Sequence, residues 1–249
     1  MMAHELHGKR ALVTGASSGL GAHFARLLAR QGVKVVLAAR RAETLFGIMA
    51  EIRQQGGAAS AMRLDVRDIE ASSRAISELA TLDILVNNAG IVREGAALDQ
   101  SEEAWDDVID TNLKGMFFVA QAAARLMAPN PGGAIINIAS ILGLRQAGGV
   151  LPYAVSKAGV VQMTKCLALE LARQGTRVNA LAPGYLDTEL NGDFWKSDAG
   201  RALVRRIPQR RLGRLEDLDG PLLLLASDAS RYMTGAEIVV DGGHLVSTL

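Results

Sequence analysis

The strongest constraint on this chain is a repeated alternation between two kinds of apolar pattern. Short β-prone runs appear at RALVT (10–14), VKVVLA (33–38), SAMRL (60–64), DILVN (83–87), AIINIA (134–139), RVNALA (177–182) and EIVVD (237–241). Between them, apolar residues recur at helical spacing over about 19–31, 43–55, 69–80, 102–128, 153–173 and 216–227. Strands buried on both faces read as continuous apolar runs, and parallel neighbours need helical crossovers to return to the same sheet. The pattern predicts an α/β fold with a seven-stranded parallel sheet covered by helices on both faces.

No Pro/Ser-rich linker, composition shift, internal repeat or low-complexity tract divides the 249 residues, so a single domain over 1–249 is expected. The charge is balanced, with 27 Lys+Arg against 26 Asp+Glu. That balance gives no electrostatic case for nucleic acid or an anionic membrane, and the expected partner is a small molecule. The first ten residues lack the apolar segment of a signal peptide, and no apolar run approaches a membrane span. Cys166 is the only cysteine, which excludes an intrachain disulfide, and within VVQMTKCLALEL it is expected to pack in the core. A reducing, cytoplasmic setting follows as the default, and no metal is expected.

Directly after the first run comes TGASSGLG (14–21), leading into the helical pattern AHFARLLAR. Glycines at 15, 19 and 21 let the backbone turn sharply and approach a diphosphate, while the helix N-terminus offers unpaired N–H groups. The second run ends at Ala39-Arg40-Arg41. A carboxylate there would hold an adenosine ribose and repel a 2′-phosphate; arginines bind that phosphate. NADP(H) is therefore favoured over NAD(H), with pairing of Arg40 and Arg41 to Glu43 as the alternative use of these charges.

A second chemical feature spans Ser140 to Lys157. A helix beginning near Pro152 places Tyr153 and Lys157 four residues apart on one face, where the lysine charge would pull the phenol below its ordinary pKa of about 10. Ser140 would end a buried strand, where its hydroxyl can meet a carbonyl. The segment from Thr188 to Arg214 breaks the alternation and is expected to be an insertion near the strand ends. Its Phe194 and Trp195 either cover a substrate as part of a lid or anchor the insertion to the core or to a subunit interface. Its arginines at 201, 205, 206, 210, 211 and 214 are expected to be solvated or at an interface, with Glu216, Asp217 and Asp219 as ion-pair partners.

Taken in order, TGASSGLG (14–21), Asp65-Val66, NNAG (87–90), Asn112 in DTNLKG, Ser140, YAVSK (153–157), PGYLDT (183–188) and VVDGG (239–243) make the chain resemble the classical short-chain dehydrogenases/reductases over essentially its full length. Within that family the bacterial 3-oxoacyl carrier-protein reductases share the whole set. The resemblance implies a Rossmann fold, doubly wound in the order 3-2-1-4-5-6-7. It implies that Gly15, Ser17, Ser18, Gly19, Leu20 and Gly21 cradle the dinucleotide, with Asp65 and Val66 at the adenine and Asn88, Ala89 and Gly90 beside its ribose. Pro183, Gly184, Leu186 and Thr188 would hold the nicotinamide.

By the same resemblance Tyr153 is the acid/base, Lys157 tunes it and holds the nicotinamide ribose, Ser140 bonds the substrate oxygen, and Asn112 supports a water relay. Read on its own, Asn112 would instead be a polar group satisfied inside the helix 102–128. Substrate contacts are expected from Leu142, Gln146, Leu151, Tyr185, Phe194 and Trp195, none of them charged, which favours a ketone or secondary alcohol with an apolar flank. The implied function is an NADP(H)-dependent carbonyl reductase or alcohol dehydrogenase, commonly tetrameric in this family. Two other readings are a 3-oxoacyl thioester reductase of lipid metabolism and a dinucleotide-sensing regulator without turnover.

Overall fold

The computed structural model describes residues 5–187 and 195–247. Seven parallel strands form one sheet in the order β3-β2-β1-β4-β5-β6-β7. They are β1 (Arg10–Thr14), β2 (Lys34–Ala39), β3 (Ala59–Arg63), β4 (Ile84–Asn87), β5 (Ala134–Ile138), β6 (Arg177–Pro183) and β7 (Glu237–Val240). Each falls within two residues of its expected run. The helices between them are α1 (Gly19–Arg30), α2 (Ala42–Gln54), α3 (Ile69–Ser77), α4 (Glu102–Ile109), α5 (Met116–Met127), α6 (Leu151–Leu171), α7 (Asp198–Val204) and α8 (Asp219–Ala226).

The continuous apolar runs are explained by burial on both faces. In β1, Ala11 and Val13 join the core under α1, α2 and α8, whereas Leu12 joins the opposite core under α3, α5 and α6. The same split separates Ile84 and Val86 from Leu85 in β4, and Ile136 and Ile138 from Ile135 in β5. Phe24 and Leu28 of α1 fill the first core; Val119 and Ala123 of α5 fill the second. Because β1 pairs with both β2 and β4, the chain reverses its order across the sheet at the C-terminal end of β1. A crevice opens at such a point, and the glycine loop and NNAG both leave strands there.

Three expectations need correction. The helix expected over 102–128 is two α-helices joined by a π-helical stretch, Asp110–Gly115, which widens the turn and carries Asn112. Gly115 closes this stretch onto the exit of β3: a Cβ there would lie 2.5 Å from the Val66 carbonyl oxygen. Cys166 is exposed. The buried side of α6 runs through Ser156, Lys157, Val160, Val161, Thr164, Leu167 and Ala168, so an apolar pattern on both sides of the helix hid which face is outward. The segment 188–214 contains α7, which the mixed composition did not suggest, and its residues 188–194 lie outside the described ones. Among the described residues, no helix is long and apolar enough to cross a membrane.

Candidate active site

The nucleotide end is shaped by backbone. Gly15 has φ +65°, and a Cβ on it would sit 2.9 Å from Asn88 Nδ2. Gly21 is tighter still: its Cβ would fall 2.3 Å from the Gly15 carbonyl oxygen, so only glycine lets the loop close on the first turn of α1. Gly19 faces the other way, with φ +52° and open space where a Cβ would be. The Ser18 hydroxyl makes no cap bond, and no acidic residue occupies the first turn of α1. Its leading N–H groups are thus available to an anion, as a diphosphate requires. Leu20 packs against the core beneath.

One buried hydroxyl, whose role was not legible in the sequence, fixes this loop. Thr14 Oγ1 accepts the N–H of Asn88 at 2.9 Å and of Ala89 at 3.0 Å, and Asn88 Nδ2 donates to the Thr14 carbonyl at 3.0 Å. A threonine at the mouth of a central strand is the only signal that could have found it. Around the rim, Arg41 Nη2 lies 3.2 Å from Ser17 Oγ instead of reaching Glu43, and both Arg40 and Arg41 are exposed. This places one guanidinium beside the glycine loop, where a ribose phosphate could be met. Asp65 Oδ1 accepts the Arg67 N–H at 3.1 Å, and Val66 is buried under Gly115.

At the catalytic end, α6 starts at Leu151 with Pro152 in its first turn, as its missing N–H permits. Tyr153 and Lys157 then share a face, and Lys157 Nζ lies 5.6 Å from the Tyr153 ring centroid. Lys157 is 3% exposed and donates to the Ile138 carbonyl at 2.7 Å. Burial lowers its ammonium to about 8. Desolvation pushes the Tyr153 phenol above its ordinary value, a hydrogen bond with Ser140 pulls it down, and the Tyr185 phenol adds to the rise. The downward shift expected from Lys157 does not emerge: burial is the largest influence on the phenol, and only the Ser140 hydrogen bond opposes it. Ser140 sits as expected just past β5, its Oγ also accepting the Leu142 N–H at 3.1 Å.

Asn112 is fully buried and its amide is fully engaged. Oδ1 accepts the Ile91 N–H at 2.8 Å, while Nδ2 donates to the Ile91 carbonyl at 2.9 Å and to Ser156 Oγ at 3.1 Å. Ser156 passes the link on to the Tyr153 carbonyl at 2.7 Å. Asn112 therefore ties the loop after β4 to the start of α6, and a Cβ on Gly90 would lie 3.3 Å from its Oδ1 and 3.7 Å from Lys157 Nζ. Gly90, Asn112, Ser140, Tyr153 and Lys157 are brought together from four separate segments.

The wall between Ser140 and Tyr153 is braced by the loop after β4, through Gly95 N–H to the Gly149 carbonyl at 3.0 Å. Leu142 lies in this wall, Gln146 is exposed on it, and Leu151 is half-exposed at the head of α6. Beyond Pro183, Gly184 packs so closely on Asp241 that a Cβ would meet it at 2.6 Å, and Leu186 is buried against Gly213. Tyr185 packs edge-on against Trp195 at 5.6 Å and against His244 at 5.5 Å. Thr188 and Phe194 lie outside the described residues. The arginines of the segment are exposed: Arg201 pairs with Asp198 at 2.5 Å and Arg211 with Asp217 at 2.6 Å, whereas Asp219 pairs with His23.

A family model described as enoyl-(acyl carrier protein) reductase matches residues 15–244. The chain belongs to the classical short-chain dehydrogenase/reductase family. It is 39% identical to a gluconate 5-dehydrogenase of Gluconobacter oxydans over 97% of this chain and 96% of that one. It is 38% identical to a 3-oxoacyl-(acyl-carrier-protein) reductase of Thermotoga maritima, over 97% of this chain and 99% of that one. The crystal structure of a gluconate 5-dehydrogenase of Burkholderia cenocepacia, in complex with NADP and tartrate, superposes with a TM-score of 0.94 at 35% identity, covering 100% of both chains. This short-chain dehydrogenase/reductase is an oxidoreductase that interconverts carbonyl and alcohol groups by hydride transfer with a nicotinamide dinucleotide.

Proposed function

We propose that this enzyme uses NADP(H) in preference to NAD(H) and that Tyr153 is its acid/base. The observation that carries the reading is the convergence of Ser140 and Lys157 on Tyr153 at the end of the sheet that also holds the glycine loop. The dinucleotide supplies or accepts the hydride. Held in its protonated form by desolvation, Tyr153 delivers a proton to the carbonyl oxygen during reduction and takes one back during alcohol oxidation. Ser140 donates a hydrogen bond to the same oxygen. Lys157 holds the nicotinamide ribose, and its charge steadies the phenolate once the proton has left. Asn112, whose amide is spent on Ile91 and Ser156, keeps the start of α6 and the loop after β4 in register for a proton relay through Lys157.

For the dinucleotide, residues 15 and 17–21 take the diphosphate, Asp65 and Val66 the adenine, and Asn88 to Gly90 the adenosine ribose. Pro183, Gly184, Leu186 and Thr188 take the nicotinamide. Arg41, beside Ser17, and Arg40 take the 2′-phosphate; a guanidinium there favours NADP and no carboxylate replaces it. Leu142, Gln146, Leu151, Tyr185, Phe194 and Trp195 line the substrate space. Steady-state kcat/KM with NADPH and NADH on one carbonyl tests the preference: a higher value with NADH overturns it. Arg41→Gln narrows the ratio about tenfold if the guanidinium meets the phosphate.

The Thermotoga relative supports a second reading, reduction of 3-oxoacyl thioesters, separated by assaying acetoacetyl thioesters beside simple ketones. The reading extends to one functional domain over 1–249 in a cytoplasmic setting, with a single cysteine as support. It extends also to a homotetramer, supported by the apolar side chains that α6 and the α4 region leave outward: Val155, Leu169, Leu98 and Trp105. Light scattering after size exclusion checks the assembly.

A further inference from the structure

The substrate wall carries one charged side chain that the reaction scheme does not use. Arg145 follows the short turn after Ser140, its N–H donating to the Ile141 carbonyl at 2.8 Å. Its guanidinium is partly buried and donates through Nη1 to the main-chain carbonyl of His244. No other side-chain bond and no ion pair ties it down among the described residues. Several other arginines do have a carboxylate: Arg26 is matched by Glu51, Arg67 and Arg93 by Asp107, and Arg211 by Asp217. Taking a guanidinium partly out of water without a counter-ion is costly, and such a group is matched when an anion arrives.

What surrounds Arg145 has the same character. His244 is 6% exposed and its Nδ1 has no hydrogen-bond partner. The carboxylate that could neutralise this corner, Asp241, spends its oxygens on the N–H groups of Gly243 at 2.8 Å and Leu245 at 2.5 Å. The His244 ring packs against Tyr185, which packs in turn against Trp195. The charge of Arg145 is felt at the Tyr185 phenol, and the Tyr185 phenol is felt at Tyr153. A cation with free N–H groups, a phenol and an unpartnered imidazole nitrogen thus gather where the wall after Ser140 meets the segments after β6 and β7.

We propose that Arg145, backed by Tyr185 and His244, is a specificity-determining anion subsite that holds a carboxylate of the substrate, so that the enzyme acts on hydroxy acids and keto acids. The proposal rests on the reading of Tyr153 as the acid/base of this pocket. A planar guanidinium fork matches a carboxylate through two parallel N–H···O bonds, which fixes the orientation of the carbonyl as well as its affinity. It also changes the substrate class inferred from Leu142, Gln146, Leu151, Tyr185 and Trp195. An uncharged apolar flank remains for the rest of the carbon chain, but one end of the substrate is charged.

The test compares keto acids with their methyl esters, using NADPH and the full-length enzyme, for the parent, Arg145→Met and Arg145→Lys. The parent is expected to favour the acid by on the order of 30-fold or more in kcat/KM, most of it in KM. In Arg145→Met the acid-to-ester ratio collapses toward one, and Arg145→Lys restores part of it, which a purely structural role would not do. A parent that reduces esters as well as acids, or an Arg145→Met ratio equal to the parent's, overturns the proposal. Calorimetric titration of malate into the enzyme–NADP complex reads the subsite independently of turnover. Malate binding that is lost in Arg145→Met supports the subsite even if no carbonyl is reduced, a result that would instead sink the reading of Tyr153. Equal binding in both proteins, or none in the parent, sinks the subsite alone.

Discussion

At the nucleotide end of the cleft, shape comes from main-chain atoms and a few short side chains close to the strand ends: Gly15, Gly21, the Thr14 hydroxyl and the Asn88 amide. At the end we propose for the substrate it comes from large side chains of three distant segments, Arg145 on the wall, Tyr185 and Trp195 after β6, and His244 after β7. The first arrangement leaves little choice of residue, because a Cβ at Gly21 or a missing hydroxyl at Thr14 has no room or no substitute. The second can be rebuilt one ring or charge at a time while the sheet stays the same. Two relatives of nearly equal identity carry different substrate names, which is the pattern such a division produces.

The contrast can be broken in four places. Tyr153→Phe should lower turnover by about 10²- to 10⁴-fold while NADPH still binds, since it removes one proton donor and leaves the cradle intact; fluorescence titration beside steady-state kinetics reads both. Near-parental turnover would end the mechanism. Gly21→Ala attacks the other end. With its Cβ 2.3 Å from the Gly15 carbonyl, it should weaken NADPH binding by about tenfold or more, through an overpacking cost of about 1–3 kcal/mol. If the nucleotide bound as tightly as before, the cradle would not depend on that close approach.

Thr14→Val keeps the shape but strips the acceptor shared by Asn88 and Ala89, and should cost about 1–3 kcal/mol in chemical denaturation. Thr14→Ser should recover most of that loss, and a neutral Thr14→Val would move the burden to Asn88. The smallest effect is on pH. Lys157 in the free protein is charged below about 8 and neutral above it, and the proposed ribose contact would use the charged form. NADPH affinity should hold steady below about 8 and decline above it, by up to tenfold per unit, because bound nucleotide raises the lysine pKa. Lys157→Met should flatten the profile; a slope that survives this change belongs to another group.

All seven strands and their parallel βαβ arrangement were legible in the sequence, because each strand is apolar on both faces and each crossover has helical spacing; the order of the strands came from the family resemblance. The glycine loop was legible for a related reason: its requirements are local, and glycine meets them at fixed positions. Tyr153 and Lys157 were legible as helix neighbours. The π-helical stretch at Asp110–Gly115 was not, since no spacing in DTNLKG marks an i→i+5 turn and the widened turn answers to Ile91 and Val66 across space. Cys166 misled because α6 is apolar on both sides, so no periodicity marks its outward face. The direction of the Tyr153 shift also depended on how deeply the phenol is buried, which spacing does not carry.

The amino-acid order by itself determined the sheet, the glycine loop and the helix neighbours Tyr153 and Lys157 that we propose handle the proton, because all three follow from repeats and spacings of a few residues. Only the tertiary structure decided that Thr14 holds the cradle, that Asn112 ties α6 to the loop after β4, and that Arg145 meets His244 ninety-nine positions away. Those contacts join strand ends and loops that are neighbours only after the sheet has assembled, and a hydrogen bond between them leaves no period in the chain.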